Sequence, residues 1–190
     1  MKKIVVFTML VLILMSGFSQ IFAQQNNSQA ASILNHYAGK NFATGAIPKT
    51  DLDLIIQAGI RAPSARNLQP WHFTVIQNQN LAKQIVSNVV DGNVLIVVSA
   101  KGDGKTNGSE ILDCALAVEN IYLAAQALGY TSRIQTGQMD MVNSKLKTEL
   151  GLPSGYSTVA LIRVGKAEGK VDAVTAASAR KKAEELVNYK

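Results

Sequence analysis

The sequence predicts an α/β domain with a central sheet flanked by helices, and three observations carry that class. Helical and strand periods alternate along the chain in the order helix, helix, strand, helix, strand, helix, strand, helix, strand, helix. The run "NVLIVVSA", residues 93 to 100, is apolar throughout, as expected of a strand buried on both faces. A stretch from about Ser109 to Leu128 has helical character and almost no polar face, so it belongs in an interior or an interface.

The 190-residue chain suits one globular domain, and its start stands apart from that domain. Lys2 and Lys3 head an apolar run from Ile4 to Met15, and the small Ala23 precedes the polar "QQNNSQ". This is the pattern of a secretory signal peptide over residues 1–23. The apolar run is too short to span a bilayer, which needs roughly 20 residues. Export, to the periplasm or outside the cell, is therefore expected, with no membrane association after cleavage. Residues 24–30 are polar and expected to be disordered, and residues 31–190 form the domain.

Within the domain, a short helix is expected at about 30 to 38 and a loop from Asn41 to Lys49. Pro48, Thr50 and Asp51 announce the next helix, with Thr50 as its N-cap; Leu52, Ile55, Ile56, Gly59 and Ile60 share one face. "WHFTVI" reads as a strand, and a helix over about 79 to 88 leads to the buried strand. Gly129 stops the long helix, and the strand "TSRIQT" follows. A helix near 140 to 150, a strong strand "STVALIRVG" and a closing helix "SARKKAEELVNY" complete the chain. In a chain of this size one core does not easily enclose the long apolar helix, which points to a homodimer interface.

Composition narrows the function. The formal charge is +6; without Lys2 and Lys3, 17 basic and 13 acidic residues leave +4. No basic run is long enough for nucleic acid, but a mild excess of cations suits an anionic small ligand. Cys114 is the only cysteine, so no internal disulfide forms, and its place on an apolar helix face reads as a buried, inert thiol. His36 and His72 are the only histidines, and neither has a second ligand at metal spacing. "GDGKT", residues 102 to 106, resembles a phosphate loop but has Ser99 where that motif needs glycine, so it reads as a polar turn. No serine stands in a G-x-S-x-G elbow.

The connection "PSARNLQP", residues 63 to 70, is the chemically rich segment. It holds two prolines, a hydroxyl, an arginine and two primary amides, and Trp71 anchors its end. A turn needs one or two such residues. This density of donors and acceptors in a stiff loop fits a ligand cradle. Asn67 and Gln69 each offer a donor and an acceptor, matching a ring edge that alternates C=O, N–H and C=O.

At this point the residues resemble a known family. "RAPSARNLQPWHF" closely resembles the signature of the nitroreductase family of FMN-dependent oxidoreductases. "HYAGKNF" (36 to 42) is similar to that family's N-terminal segment, "ALAVENIYLAAQALGYTSRIQTG" to its dimer-core helix and following loop, and "SARKKAEELV" to its C-terminal motif. The resemblance implies a homodimer, a central mixed sheet flanked by helices in each subunit, and FMN at the interface. It implies cofactor contacts from Pro63, Ser64, Asn67 and Gln69 in the loop, and from His36, Lys40 and Arg180 at the phosphate or pyrimidine edge. It also places Thr136 and Gly137 beside the reactive N5 side of the ring. Residues of both subunits contribute to each pocket. No side chain is required as a nucleophile, because the flavin carries the chemistry.

The departures matter as well. His36 stands where the family usually has arginine and Ala38 where it often has serine, which weakens the phosphate site or makes it pH-dependent. No Lys or Arg lies between Lys83 and Lys101, where some relatives carry a second cation, and the family's helical lid is absent. The resemblance implies hydride transfer from NAD(P)H or another donor, through the flavin, to a nitroaromatic, quinone or similar acceptor. The alternatives are a non-catalytic flavin-binding protein that stores or senses flavin, and an exported binder of another planar ligand.

Overall fold

The structure is a computed structural model that describes residues 30–102, 108–169 and 179–190. It divides into two compact units, Met1–Asn35 and His36–Lys190. Among the described residues of the first, 30–34 form a short helix, α1, whose last turn closes through Asn35 N–H donating to Ala31 O at 2.9 Å. The expected helix over 30 to 38 thus ends early. The signal-peptide segment 1–23 lies outside the described residues, as does most of "GDGKT".

The second unit carries a five-stranded sheet. Its strands are β1 (Phe42–Ala43), β2 (Trp71–Ile76), β3 (Val94–Lys101), β4 (Tyr130–Gln135) and β5 (Tyr156–Ala167). The twelve-residue β5 is the hub. Val164 pairs with both Val94 and Ser132, and Lys166 with both Ala43 and Tyr130. β4 therefore runs along one side of β5, while β3 and β1 lie end to end along the other and β2 flanks β3. The resemblance implies a mixed sheet; the pairings among the described strands are all antiparallel.

Among the described residues, α2 (Lys49–Ile60), α3 (Gln79–Ile85) and α4 (Ser109–Ala127) cover this sheet. On one face, Leu52 and Ile55 of α2 and Cys114, Val118, Ile121 and Ala125 of α4 pack on Val94, Ile96, Val98, Ile162 and Val164. On the other, Ala82 and Ile85 of α3 pack with Leu95, Val97 and Leu161 and with Val142, Leu146 and Leu150. Burial of both β3 faces explains its unbroken apolar sequence. Each fully buried Ile or Leu contributes about 1.5–3 kcal/mol. Gly59 lets α2 and α4 approach closely: a Cβ there would meet Ile121 Cδ1 at 2.7 Å.

Local chemistry differs from expectation at several ends. The N-cap of α2 is Pro48, with no side-chain cap bond, and Thr50 lies inside the first turn. Pro48 O instead accepts from Asp51 N–H and Leu52 N–H at 3.1 and 3.0 Å. α3 is capped by Asn78, whose side chain accepts from Asn80 and Leu81 N–H, and it ends at Ile85. The helix expected near 140 to 150 is a short α-helical piece, Met139–Met141, continued by a π-helical Val142–Leu146. The closing helix is not formed. Residues 179–190 are exposed, with one 3₁₀ turn at Ala183–Glu185. A segment of a dozen residues with no packed face is too short to hold a helix by propensity alone.

Arg163 is buried within β5. Its Nε donates to Asn93 Oδ1 at 2.9 Å, its Nη1 and Nη2 donate to Asn88 Oδ1 and O, and its guanidinium lies 3.9 Å over the Phe42 ring. Burial, helped by the charge of Arg133, pushes its pKa down to about 10. It holds the turn before β3, and β1, to the sheet.

Candidate functional site

The 63–70 loop is built under backbone constraint. Arg66, Asn67 and Gln69 have φ of 54°, 57° and 47°, a left-handed region that non-glycine residues seldom occupy. Such residues persist only where their surroundings hold them, and they concentrate at ligand sites. The holding bonds are specific. Ser64 Oγ accepts from Gln69 N–H at 3.0 Å, and Gln69 Nε2 donates to Asn67 Oδ1 at 3.2 Å. Asn67 N–H donates to Ser64 O, and Leu68 N–H to Ala65 O. From outside the loop, Asp113 of α4 accepts the Ala65 N–H on Oδ1 at 3.0 Å. Asn67 and Gln69 thus use one acceptor and one donor on each other, which leaves the Asn67 amide N–H groups and the Gln69 carbonyl for a ligand. Pro63, Asn67 and Gln69 are exposed and Ser64 half-buried.

The segment around His36 and Lys40 is held differently. Gln126 of α4 clamps Tyr37 from both sides, accepting its N–H on Oε1 at 3.2 Å and donating from Nε2 to its carbonyl at 2.7 Å. The same Nε2 reaches Ser132 Oγ, which donates to Tyr122 O. Gly39 N–H donates to Ser132 O at 2.7 Å. Gly39 is buried, and a Cβ there would run into Thr131 Oγ1 and Ser132 O, so the chain needs glycine to lie this close to β4. Lys40 leaves this anchored stretch exposed. The His36 ring stands edge-on to Tyr122, at 5.7 Å between centroids. Burial pushes the Tyr122 phenol up, while Gln126 and, more weakly, the charge of Arg180 pull it down. The charge of Arg180 thus reaches Tyr122, although Arg180 stands in an exposed tail and not on a helix.

The candidate residues thus gather in two groups at opposite ends of α4. The loop sits at the Asp113 end; His36, Lys40 and Arg180 sit at the Tyr122–Gln126 end. Asp113 and Gln126 are 13 residues apart, or roughly 20 Å along the axis. Thr136 and Gly137 follow the last residue of β4 and are exposed. Among the described residues of one chain, the loop and the Tyr37–Gly39 segment are held at opposite ends of α4. The outer side of α4 is exposed and apolar, with Leu112 and Leu116 at 64% and 39% exposure. Among the described residues no cluster of metal ligands occurs, and no helix is long and apolar enough to cross a membrane.

The sequence model of the nitroreductase family matches residues 33–93 and 86–166, more than half of the chain. The chain belongs to the nitroreductase family. A protein of Archaeoglobus fulgidus provisionally named NADH dehydrogenase/NAD(P)H nitroreductase is 30% identical over 135 residues, covering 66% of this chain and 78% of that relative. A Methanothermobacter thermautotrophicus protein of the same provisional name is 34% identical over 90 residues, which span only 47% of its length. Among solved structures, a nitroreductase with bound FMN from Desulfitobacterium hafniense superposes with a TM-score of 0.70 at 21% identity, covering 84% of this chain and 96% of that one. An FMN-bound nitroreductase from Bacteroides fragilis gives 0.65 at 23%, covering 85% and 98%. At these identities the likeness establishes the nitroreductase fold.

Three residues that position the candidate site are not evident from the sequence. Asp113 and Gln126 lie on the long helix, where a polar residue in an apolar run signals a buried polar contact but not its partner. Gly39 was part of a recognised segment, yet only the contact with β4 shows why it lacks a side chain. The Cys114 thiol is pushed up to about 12 by burial, then by Asp113 and Glu110, in keeping with an inert buried thiol.

Proposed function

We propose that this chain is an FMN-dependent oxidoreductase that works as a homodimer, each site assembled from the two ends of α4 in different copies. The arrangement of α4 is the observation that supports this most. Two copies packed antiparallel along its exposed apolar stripe set the Asp113 end of one beside the Gln126 end of the other. A two-fold axis then completes both sites at once, each with a donor-rich loop facing a cationic segment.

The residues fit the cofactor in kind. Lys40 and Arg180, with His36 beside them, would hold a phosphate dianion, where cations are favoured. The remaining Asn67 N–H groups and the Gln69 carbonyl would orient the pyrimidine edge, with Pro63 and Ser64 shaping the loop and the Thr136–Gly137 backbone lining the ring. FMN held there would supply two-electron redox chemistry between a donor such as NAD(P)H and a nitroaromatic, quinone or similar acceptor. The chain's own part is to bind, orient and balance charge.

The test is a spectrum followed by kinetics. The purified chain should carry flavin absorbance bands, and stopped-flow mixing with NAD(P)H should bleach them, with an acceptor restoring them. Bound flavin that no donor reduces would instead favour a storage or sensing role, a reading supported by His36 in place of arginine. Export is part of the proposal and rests on the pattern of residues 1–23; cell fractionation that finds the uncut chain in the cytoplasm would remove it.

A further inference from the structure

We infer that Asp113 is a positioning residue: its buried carboxylate holds the 64–69 loop in the left-handed shape that receives the flavin edge. This rests on the cofactor reading above. Asp113 is 3% exposed, beside the fully buried Cys114 and Ala117 of the same helix. An apolar side chain would suit that environment better, because a buried carboxylate is costly unless it serves a polar contact. Its one hydrogen bond among the described residues is from Ala65 N–H to Oδ1, and Oδ2 has no partner there.

The place of that bond matters. Ala65 immediately precedes the left-handed Arg66 and Asn67. The other bonds shaping the loop join loop residues to each other, so they fix its internal curvature and not its placement. Asp113 ties the loop to the rigid α4. Seven residues on, Asn120 Nδ2 donates to Ala58 O at 3.0 Å and satisfies a carbonyl in the last turn of α2. α4 thus fixes both the helix end that feeds the loop and, at Ala65, an amide near the loop's start. A charge-assisted bond suits this task, being roughly twice as strong as a neutral one. Asp113 touches the loop, so its effect on the site is indirect.

The experiment compares the full chain with Asp113→Asn, which keeps an acceptor oxygen, Asp113→Ser, which keeps a smaller one, and Asp113→Ala, which keeps none. Two readouts need no flavin: hydrogen exchange at the Ala65 amide, and the rate of trypsin cleavage after the exposed Arg66, identified by mass. The third is FMN affinity by fluorescence. In Asp113→Ala, exchange and cleavage should speed up and FMN affinity should fall, each by roughly tenfold or more. Asp113→Asn should stay much closer to the parent on all three, and Asp113→Ser supplies the comparison if the alanine variant does not fold. Unchanged exchange and cleavage in the folded variants would overturn the inference. So would a loosened loop with undiminished FMN affinity. Failure of the parent chain itself to bind FMN would sink the cofactor reading instead, and the two flavin-free readouts would still report on the anchor.

Discussion

The two ends of α4 are built on opposite plans. At the Asp113 end the loop is over-determined: three left-handed residues, two side chains bonded to one another, and a buried carboxylate behind them. At the Gln126 end the backbone of Tyr37 and Gly39 is clamped, but the cations that follow from it or approach it, Lys40 and Arg180, are exposed. The difference suits what each end would bind on the proposed reading. A planar ring edge is recognised by directed hydrogen bonds, which fail if the backbone wanders. A phosphate is recognised largely by charge, which acts over several ångströms and tolerates a mobile side chain.

The strongest way to break the comparison is to separate the two ends. Leu116→Glu places a charge on the exposed stripe of α4. The variant should be a folded monomer by light scattering, and its FMN affinity should fall by more than about a hundredfold, since half the contacts leave with the partner. A monomer that binds FMN as well as the parent would show that one chain holds a whole site.

The next largest effect isolates the cationic end. Arg180→Ala should weaken FMN by roughly tenfold to a hundredfold and leave riboflavin nearly unchanged, because riboflavin lacks the phosphate. Equal losses for the two ligands would remove Arg180 from the phosphate. The loop end should behave the other way. Asn67→Ala and Gln69→Ala should each cost roughly 1–3 kcal/mol of binding for FMN and riboflavin alike. Titration of both ligands against the three variants draws the boundary between the ends.

The smallest effect appears only in alkali. Cys114, next to Asp113, and Tyr130, just past the other end of α4, both have raised pKa values of about 12, against ordinary values of 9.0 and 10.0. Burial is the main cause for both, and Tyr130 also donates to Asp51 Oδ2. A proton held more tightly in the folded state gives stability that is full below the unfolded pKa and lost as pH rises through the folded one. Urea midpoints should therefore fall between about pH 9 and 12. Cys114→Ala should flatten most of that fall, because above about pH 10 the Tyr130 share is offset by Arg163, whose pKa is lowered to about 10. A parent midpoint flat to pH 12 would contradict the Cys114 shift.

Much of this was legible in the residues. β2 to β5 and α2 to α4 follow from apolar periodicity, because burial on one face or two writes itself into spacing. The loop at 63 to 70 announced itself by composition, and four segments in order carried the family. The failures have local causes. β1 pairs only two residues, too few for any period, and exists because β5 outruns β3. The closing helix was expected from alanine, lysine, glutamate and leucine, but propensity without a packed face does not hold a dozen residues. Thr50 lost the cap of α2 to Pro48, whose fixed φ already suits the entry.

The sequence by itself determined which segments are buried, which loop is chemically rich, and that the long helix has more apolar surface than one chain buries. These are properties of local pattern and composition. The tertiary structure alone decided that the candidate residues divide between two ends of α4, that the charge of Arg180 reaches Tyr122 from an exposed tail, and that Asp113 and Gln126 hold the two segments in place. Each of those facts is a meeting of residues distant in sequence. Such meetings are set by how helices and strands pack, and packing leaves no period for the chain to show.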